Sequence, residues 1–322
     1  MCEPESRARA NGPAATAAEP VGVLVPDGRG VRAVGAAPGL VPLRYALDGP
    51  LPPAATAARV LVPGRGPVER HLDLVRALPG LRLVQLLHSG TEQWAGRLPA
   101  GLLLSNARGA HGPCTAEWAL AALLAVVREF PEAFASQTRG TWRPFAAETL
   151  EGKRVLIVGA GSIGAALRVR LEACGAGCTM VARRARPGVH GRDELCGLLP
   201  HHDAVVLAAP LTAESRGMAD AEFLALMPDR AVLVNAGRGA LVDTGALLAE
   251  LGRGRLRAAL DVTDPEPLPD GHPLWSAPGV LISPHIGGGA GDSEERAWTV
   301  AVDQISRFAR GLRPPNAVPS PT

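Results

Sequence analysis

Three polar segments in the second half of the chain carry side chains that can bind an anion and move a proton. They contain Arg238, then Asp261 and Glu266, and finally His285. Each segment directly follows a short apolar run that predicts a β-strand. The carboxyl ends of parallel strands meet at one edge of a sheet, and open α/β sheets bind their ligands there. We therefore expect an arginine, a carboxylate and a histidine to converge at that edge.

A glycine-rich turn lies upstream of these segments. Gly159, Gly161 and Gly164 form a G-x-G-x-x-G pattern that follows the apolar run RVLIV and opens a helical stretch. In this context the first glycine permits a tight turn, the second lets a pyrophosphate approach the backbone, and the third lets helix and strand pack closely. The N–H groups of Ser162 and Ile163 would face the anion. The pattern predicts a dinucleotide site, and the alternative is a structural turn with chance glycines.

The end of the next predicted strand indicates which dinucleotide binds. Proteins selective for NAD usually carry Asp or Glu there, to bind the ribose hydroxyls. Here no carboxylate occupies that place; Arg183 and Arg184 follow it, and an arginine can pair with a 2′-phosphate. We predict a preference for NADP, with NAD left open. The alternatives are that these arginines are solvated loop charges or stack on adenine.

Short apolar runs alternate with helical stretches along most of the chain, which is typical of parallel sheets covered on both faces. We predict an α/β fold of two Rossmann-like, doubly wound parallel-sheet domains: a flavodoxin-like substrate domain and a dinucleotide-binding domain. The substrate domain would comprise residues 21–107 plus 289–322, and the NAD(P)-binding domain residues 108–288. A buried helix is expected over residues 115–130, with Thr115 as its cap. The predicted strands cover residues 21–25, 60–62, 81–87, 102–104, 154–158, 178–181, 204–208, 231–235, 256–260 and 280–282.

Composition excludes several other classes of protein. Among 322 residues, 47% are hydrophobic, 20% are charged and the net charge is +2, which disfavours a disordered chain, a nucleic-acid scaffold and a polybasic membrane binder. Five cysteines without a C-x-x-C pair favour reduced thiols in the cytoplasm over a disulfide framework or a metal site. No apolar run reaches the roughly 20 residues of a membrane span. We expect residues 1–20 to be a disordered leader and residues 313–322 a frayed tail.

The order and spacing of these motifs resemble the D-isomer-specific 2-hydroxyacid dehydrogenase family, which includes glyoxylate/hydroxypyruvate reductases and D-3-phosphoglycerate dehydrogenases. The resemblance covers about residues 60–312 and rests on GAGSIG, NAGRG, LDVTDPEP with HPLW, and SPHIGG. It implies the reaction 2-oxoacid + NAD(P)H + H⁺ ⇌ 2-hydroxyacid + NAD(P)⁺ on a small anionic substrate, in the reductive direction. It also implies a homodimer paired through the helix near residues 115–130 and its neighbours.

The resemblance assigns roles to the polar segments. His285 would be the general acid, since an imidazole can give and recover a proton near neutral pH. Glu266 would hydrogen-bond the other ring nitrogen, and Arg238 would bind the substrate carboxylate and stabilise the developing oxyanion. Asp261 would hold the nicotinamide carboxamide. The remaining cofactor contacts, shared with His285, would come from Pro210, Asn235, Ala236, Gly237, Gly287 and Gly288.

The substrate also needs donors from the first domain. Ser89 and Gly90 match the family's glycine turn, whose backbone N–H groups grip the substrate carboxylate. His88 stands where the family usually has a small or apolar residue, so it either extends substrate recognition or points away. Arg65 follows another predicted strand and either meets a second anionic group of the substrate or is a surface arginine. Thr263 replaces the family's usual bulky residue, which leaves the shape of the site wall open.

Two other functions remain open. Fold alone does not fix function, and the same fold serves dinucleotide-sensing binding proteins such as transcriptional corepressors. A phosphite-type dehydrogenase is the second alternative.

Overall fold

The apolar runs of the first third of the chain form a five-stranded parallel sheet. Strands β1 to β5 span Val21–Val25, Leu40–Arg44, Ala58–Leu61, Leu83–Gln85 and Leu103–Ser105. Their order is β2-β1-β3-β4-β5, the flavodoxin-like order. The sequence predicted all of these strands except β2. That strand contains Pro42, which a sheet tolerates here because β2 lies at the edge.

Two helices accompany this sheet, α1 over Gly28–Gly35 and α2 over Val68–Ala77. Asp27 caps α1, since its Oδ1 accepts a hydrogen bond of 2.8 Å from the N–H of Gly30. The core of this part of the chain is formed by buried side chains of the strands and of α2, among them Leu24, Leu61, Leu72, Val84 and Leu104.

The C-terminal segment covers the free edge of β5. Ala317 pairs with Ser105 in an antiparallel bridge, and the N–H of Val318 donates to the carbonyl of Leu104 at 2.8 Å. The prediction of a frayed tail is therefore wrong for residues 313–318. The edge strand offers unpaired backbone groups, and this segment satisfies them. No local pattern in the tail indicates this pairing.

The second series of apolar runs forms a six-stranded parallel sheet. Strands β6 to β11 span Arg154–Val158, Gly177–Val181, Ala204–Leu207, Val232–Asn235, Arg257–Leu260 and Val280–Ile282. Their order is β11-β10-β9-β8-β6-β7, which repeats the order of the first sheet with one more strand. Every predicted strand of this half is confirmed to within one residue at each end. The two all-parallel sheets confirm the predicted fold class.

Both faces of the six-stranded sheet are buried. On β6, Leu156 and Val158 belong to one hydrophobic cluster, while Val155 and Ile157 belong to another on the opposite face. This explains the continuous apolar runs, because successive side chains point to opposite faces and both faces are covered. The helices that follow β5 along the chain, α3 to α9, span Gly112–Val127, Phe130–Thr138, Ser162–Ala173, Leu195–Leu198, Ala221–Leu226, Thr244–Gly252 and Ser293–Ala309.

Helix α3 begins three residues before its predicted start. His111 is its N-cap and Pro113 lies in its first turn, a position that suits proline because it needs no N–H partner there. Thr115 is therefore not the cap; its hydroxyl donates to the carbonyl of His111 at 3.0 Å. Ala116, Ala119 and the apolar residues after them pack onto the sheet, so the helix is buried as expected.

The structure, a computed structural model, describes residues 19–94, 96–289 and 291–318. It divides into two units, one of residues 1–106 with 301–322 and one of residues 107–300. The predicted leader lies outside the described residues apart from its last two. In the described part of the chain, no helix is long and apolar enough to cross a bilayer. The assignment of one domain to the substrate and one to the dinucleotide stays a prediction.

Candidate active site

The glycine-rich turn joins β6 to α5. Of its three motif glycines, only one has space around it for a side chain. A Cβ on Gly159 would overlap the carbonyl of Ala208, and a Cβ on Gly164 would overlap the carbonyl of Gly159. Gly159 also has a φ of +125°. A Cβ on Gly161, by contrast, would meet nothing within 4 Å. The fold itself therefore requires two of the glycines, and the third borders open space.

That open space lies at the N-terminus of α5, which begins at Ser162. The first N–H groups of a helix have no partner within the helix and carry its positive dipole end. Ser162, Ile163 and Gly164 present such groups. The turn thus has the close backbone approach and the donors that a pyrophosphate needs, and the residues fit a dinucleotide.

Arg183 and Arg184 follow β7 after Ala182 and are both exposed. A third arginine of the same loop, Arg186, reaches back to the glycine-rich turn, where its Nη2 donates to the carbonyl of Ala160 at 2.9 Å. A basic loop therefore lies beside the turn. Pro210 is exposed after β8, the strand next to β6, at the same carboxyl edge of the sheet.

The turn that carries Arg238 is shaped by Asn235, the last residue of β9. Asn235 is fully buried; its Oδ1 accepts from the N–H of Gly237 at 3.1 Å and its Nδ2 donates to the carbonyl of Arg238 at 2.9 Å. Gly239 is required because a Cβ there would overlap the carbonyl of Thr263. The Arg238 side chain is half-buried at the carboxyl edge, and its Nη1 donates to the carbonyl of Gly237 at 2.8 Å.

Glu266 and His285 are in direct contact. Nδ1 of His285 lies 2.5 Å from Oε1 of Glu266. The two side chains are 48% and 40% exposed, so Nε2 belongs to a ring that a small molecule can reach. Thr244 stabilises the loop that carries Glu266, because its hydroxyl donates to the carbonyl of Asp264 at 3.0 Å. An imidazole with one nitrogen on a carboxylate and the other directed elsewhere can act as a proton donor.

Asp261 is buried beneath the His285 loop. Its Oδ1 accepts from the hydroxyl of Ser283 at 2.7 Å and from the N–H of Ile286 at 2.8 Å, and its Oδ2 accepts from the N–H of Gly287 at 2.8 Å. Its side chain therefore contacts the loop that carries His285. Gly288, the next residue of this loop, accepts a hydrogen bond of 3.0 Å at its carbonyl from Nδ1 of His111.

The residues predicted to bind substrate in the first unit lie after two neighbouring strands. His88 and Ser89 are exposed and Gly90 is half-buried, shortly after β4, while the exposed Arg65 follows β3. The Ser89 carbonyl accepts a hydrogen bond of 2.9 Å from Nδ2 of Asn106. These four residues therefore share the carboxyl edge of the first sheet.

Tyr45 fixes the loop that leads to Arg65. Its hydroxyl donates to the carbonyl of Val62 and accepts from the N–H of Gly64, both at 3.2 Å. Burial raises the pKa of Tyr45 to about 12, so the hydroxyl remains protonated and can donate.

The predicted cofactor and catalytic residues of the second unit thus follow its six strands at one edge, and the structure brings Glu266 and His285 together. Ala236 is buried at the start of the Arg238 turn. The sequence interpretation missed Ser283, Thr244 and Asn106, which hold the loops in place. Each of these residues has a side-chain hydroxyl or amide and lies within a few residues of a predicted loop. That combination is the sequence signal that could have identified them. Among the described residues, no group of three or more His, Cys, Asp or Glu side chains is placed to hold a metal ion.

Comparison with known proteins identifies relatives of this chain. The profile of the family described as D-isomer specific 2-hydroxyacid dehydrogenase, NAD binding domain, matches residues 120–287. A glyoxylate reductase of Aeropyrum pernix is 34% identical over 265 residues, which cover 76% of this chain and 78% of that protein. A D-3-phosphoglycerate dehydrogenase of Methanocaldococcus jannaschii is 33% identical over 230 residues, 69% of this chain but only 44% of that protein. The chain therefore spans less than half of the length of that relative.

A solved structure agrees over nearly the whole chain. The D-isomer specific 2-hydroxyacid dehydrogenase from Xanthobacter autotrophicus Py2, crystallised with NADPH and MES, is 30% identical with a TM-score of 0.79, covering 94% of this chain and 99% of that chain. The family profile matches more than half of this chain, and the motifs that first suggested the resemblance lie together at the edge of one sheet. The chain belongs to the D-isomer specific 2-hydroxyacid dehydrogenase family.

Proposed function

We propose that this protein transfers a hydride between NAD(P)H and a small anionic 2-oxoacid, working in the reductive direction to form a D-2-hydroxyacid. The observation that carries the proposal is the contact between His285 and Glu266 at the sheet edge that also bears the glycine-rich turn. A dinucleotide fold alone needs no such pair, since the fold itself does not determine the activity.

The side chains of the second unit supply the remaining chemistry. When bound, the reduced nicotinamide supplies the hydride. Arg238 pairs with the substrate carboxylate and stabilises the negative charge that develops on the carbonyl oxygen. His285 donates the proton to that oxygen, and Glu266 holds the ring through Nδ1 and stabilises its protonated form. Asp261 is the proposed partner of the nicotinamide carboxamide; three of its acceptor positions are in use, and a carboxylate has about four.

We propose NADP as the preferred cofactor. Arg183 and Arg184 are exposed at the end of β7, where a guanidinium can pair with a 2′-phosphate. The crystal structure from Xanthobacter autotrophicus holds NADPH, which supports this preference by similarity. The further contacts proposed for the dinucleotide are those of the glycine-rich turn and of Pro210, Asn235, Ala236, Gly237, Gly287 and Gly288.

In the first unit, Ser89 and Gly90 are the proposed donors to the substrate carboxylate. The hydrogen bond from Asn106 to the Ser89 carbonyl supports this role because it fixes the turn. His88 and Arg65 are exposed at the same edge of their sheet and are the proposed determinants of substrate size and charge.

We further propose that two copies of the chain associate in the cytoplasm. Phe130 and Phe134 of α4 and, further along the chain, Trp142 and Phe145 are 44%, 58%, 97% and 43% exposed. Exposed aromatic side chains gathered in one short segment mark association surfaces. The five cysteines of the sequence include no C-x-x-C pair, which favours reduced thiols in a reducing compartment.

A substrate screen tests the proposed activity. The purified protein is mixed with NADPH or NADH and with glyoxylate, hydroxypyruvate and larger 2-oxoacids, including phosphate-bearing ones that could engage Arg65. The proposal expects oxidation of NADPH with at least one 2-oxoacid. Tight binding of NADPH without turnover of any 2-oxoacid would instead favour a dinucleotide sensor, and reduction of NAD(P)⁺ by phosphite would favour a phosphite dehydrogenase.

A further inference from the structure

We propose that Asp261 and Ser283 are positioning residues that hold the His285 loop in the conformation from which His285 donates its proton. The proposal rests on the proposed function, because it concerns the placement of that proton donor. It assigns Asp261 a structural role in addition to contact with a dinucleotide, and it assigns a role to Ser283.

The carboxylate of Asp261 is the centre of the loop. It is 4% exposed and accepts three hydrogen bonds of 2.7 to 2.8 Å, from Ser283, Ile286 and Gly287. In addition, the N–H of His285 donates to the backbone carbonyl of Asp261 at 2.8 Å. One residue at the end of β10 thus contacts the residues on both sides of His285 as well as His285 itself.

The backbone of His285 needs such support. Its φ is +53°, in the left-handed region that residues other than glycine rarely adopt. A residue is kept in such a conformation when surrounding contacts determine it, and this is common at functional sites. Here the N–H groups of Ile286 and Gly287, which follow His285, and the hydroxyl of Ser283, which precedes it, all donate to the Asp261 side chain. The imidazole therefore reaches Glu266 from a backbone that Asp261 holds in place.

Packing around Gly287 brings the loop backbone close to Asp261 and Trp118. A Cβ on Gly287 would lie 2.7 Å from Oδ2 of Asp261 and 3.2 Å from the indole of Trp118. The Gly287 backbone therefore lies close to both the carboxylate and the Trp118 side chain, with no space for a side chain of its own.

Ser283 is the member of the pair that can be changed without touching the carboxylate. Its hydroxyl supplies one of the two hydrogen bonds on Oδ1 of Asp261. A buried carboxylate that loses a donor is less well satisfied, and its remaining bonds to Ile286 and Gly287 must then hold the left-handed residue before them without the help of Ser283. We expect the His285 ring to lose its fixed orientation, and a displacement of about 1 Å at a reacting group can lower a rate by about a hundredfold.

The experiment compares Ser283→Ala, Ser283→Thr and Asp261→Asn with the wild type. Ser276→Ala is the matched control, because the exposed Ser276 hydroxyl bonds only a backbone carbonyl at 3.4 Å, that of Pro273. We expect Ser283→Ala to lower kcat about tenfold or more and Ser283→Thr, which keeps a hydroxyl, to restore most of it. The Kd for NADPH should stay within about threefold of the wild type in both Ser283 variants. Asp261→Asn should lower kcat further than Ser283→Ala.

Amide hydrogen exchange provides a readout that does not depend on activity. In the wild type the N–H groups of Ile286 and Gly287 should exchange slowly, and in Ser283→Ala they should exchange about tenfold faster, while Ser276→Ala leaves them unchanged. Fast exchange of both amides in the wild type would overturn the proposal even if the variants failed to fold. Unchanged kcat in a folded Ser283→Ala, or a loss that appears only in the Kd for NADPH, would also overturn it. Absence of 2-oxoacid turnover in the wild type with slow exchange at both amides would count against the proposed function and leave the loop architecture standing.

Discussion

Oε1 of Glu266 lies 2.5 Å from Nδ1 of His285, although the two residues are 19 positions apart in the sequence. The contact follows from strand pairing. Leu260 of β10 lies opposite Ile282 of β11, so the loops after these strands leave the sheet at the same level. A carboxylate from one loop and an imidazole from the next thereby meet in a partly exposed position. The glycine-rich turn after β6 lies along the same carboxyl edge, which relates the pair to a dinucleotide site.

An alanine substitution in the glycine-rich turn should affect stability and cofactor binding differently. Gly161→Ala adds a methyl group that meets nothing in the protein within 4 Å, so the melting temperature should be unchanged. The same methyl group would stand where the pyrophosphate approaches, so affinity for NADPH should fall about tenfold or more. Fluorescence titration with NADPH measures the second effect and calorimetry the first.

Gly164→Ala is the matched control. Its Cβ would overlap the carbonyl of Gly159, so this variant should lose about 1–3 kcal/mol of stability or more. Equal loss of NADPH affinity in both variants at equal melting temperature would contradict the distinction drawn between the two glycines.

Arg183→Ala should weaken binding of NADPH by about tenfold or more and affect binding of NADH little, because only NADPH carries the 2′-phosphate. Separate titrations with the two reduced cofactors measure this difference. Arg192→Ala, which removes another exposed arginine beyond the β7 loop, is the control and should affect neither. A loss of the same size for NADH and NADPH in Arg183→Ala would refute recognition of the 2′-phosphate.

The exposed aromatic residues after α3 form the surface through which we expect two copies of the chain to associate. We expect the wild type to sediment as a dimer at micromolar concentration, and Phe134→Glu combined with Trp142→Ala to sediment as a monomer, since both side chains are more than half exposed in the single chain. Leu312→Glu, at a residue that is 53% exposed near the C-terminus, should remain a dimer. Sedimentation velocity distinguishes these outcomes. A monomeric wild type, or a dimeric double variant, would rule out this surface.

The buried side chain of His71 should make the folding stability depend on pH. It is 1% exposed, its Nδ1 donates to the carbonyl of Pro67 at 3.1 Å, and Nε2 has no hydrogen-bond partner among the described residues. Burial lowers the pKa of His71 below the ordinary 6.5. The unfolded chain therefore binds a proton at a higher pH than the folded chain does. Stability should be lost as the pH falls below about 6.5 and level off once the folded histidine also binds its proton.

His71→Leu tests this origin of the pH dependence. The variant should show a smaller loss of melting temperature between pH 7.5 and pH 5.5 (about one pH unit on either side of the ordinary value) than the wild type does. His201→Leu is a suitable control, since His201 is exposed. Identical slopes in His71→Leu and the wild type would contradict the assignment.

The sequence was most informative where strands are buried on both faces. The run that became β6 has the predicted bounds, because a continuous apolar run has one stable place in such a sheet. Residues at the ends of these runs, such as Arg238 and His285, could be assigned to the site from the strand ends alone. The sequence could not show that Asp261 ends beneath the His285 loop, since that contact depends on how β10 and β11 pair.

The C-terminal segment illustrates the same limit. Its residues 313–318 have the composition of a tail, yet β5 and the residue after it, more than 200 positions earlier, give them partners; the Nδ2 of Asn316 donates to the carbonyl of Asn106 across 210 positions. The strand β2, which the sequence interpretation did not include, contains Pro42; a proline usually argues against a strand, and this one lies at an edge that tolerates it. Local composition decided neither case; the neighbouring strand did.

The most direct test of the central claim is kcat for reduction of the best 2-oxoacid by the wild type and by His285→Ala, with Glu266→Gln as the companion variant. If His285 donates the proton, His285→Ala should lower kcat by about 10²- to 10⁴-fold, and Glu266→Gln should lower it by a smaller factor. Both variants should still bind NADPH. A His285→Ala protein that binds NADPH and reduces the 2-oxoacid at the wild-type rate would contradict the account.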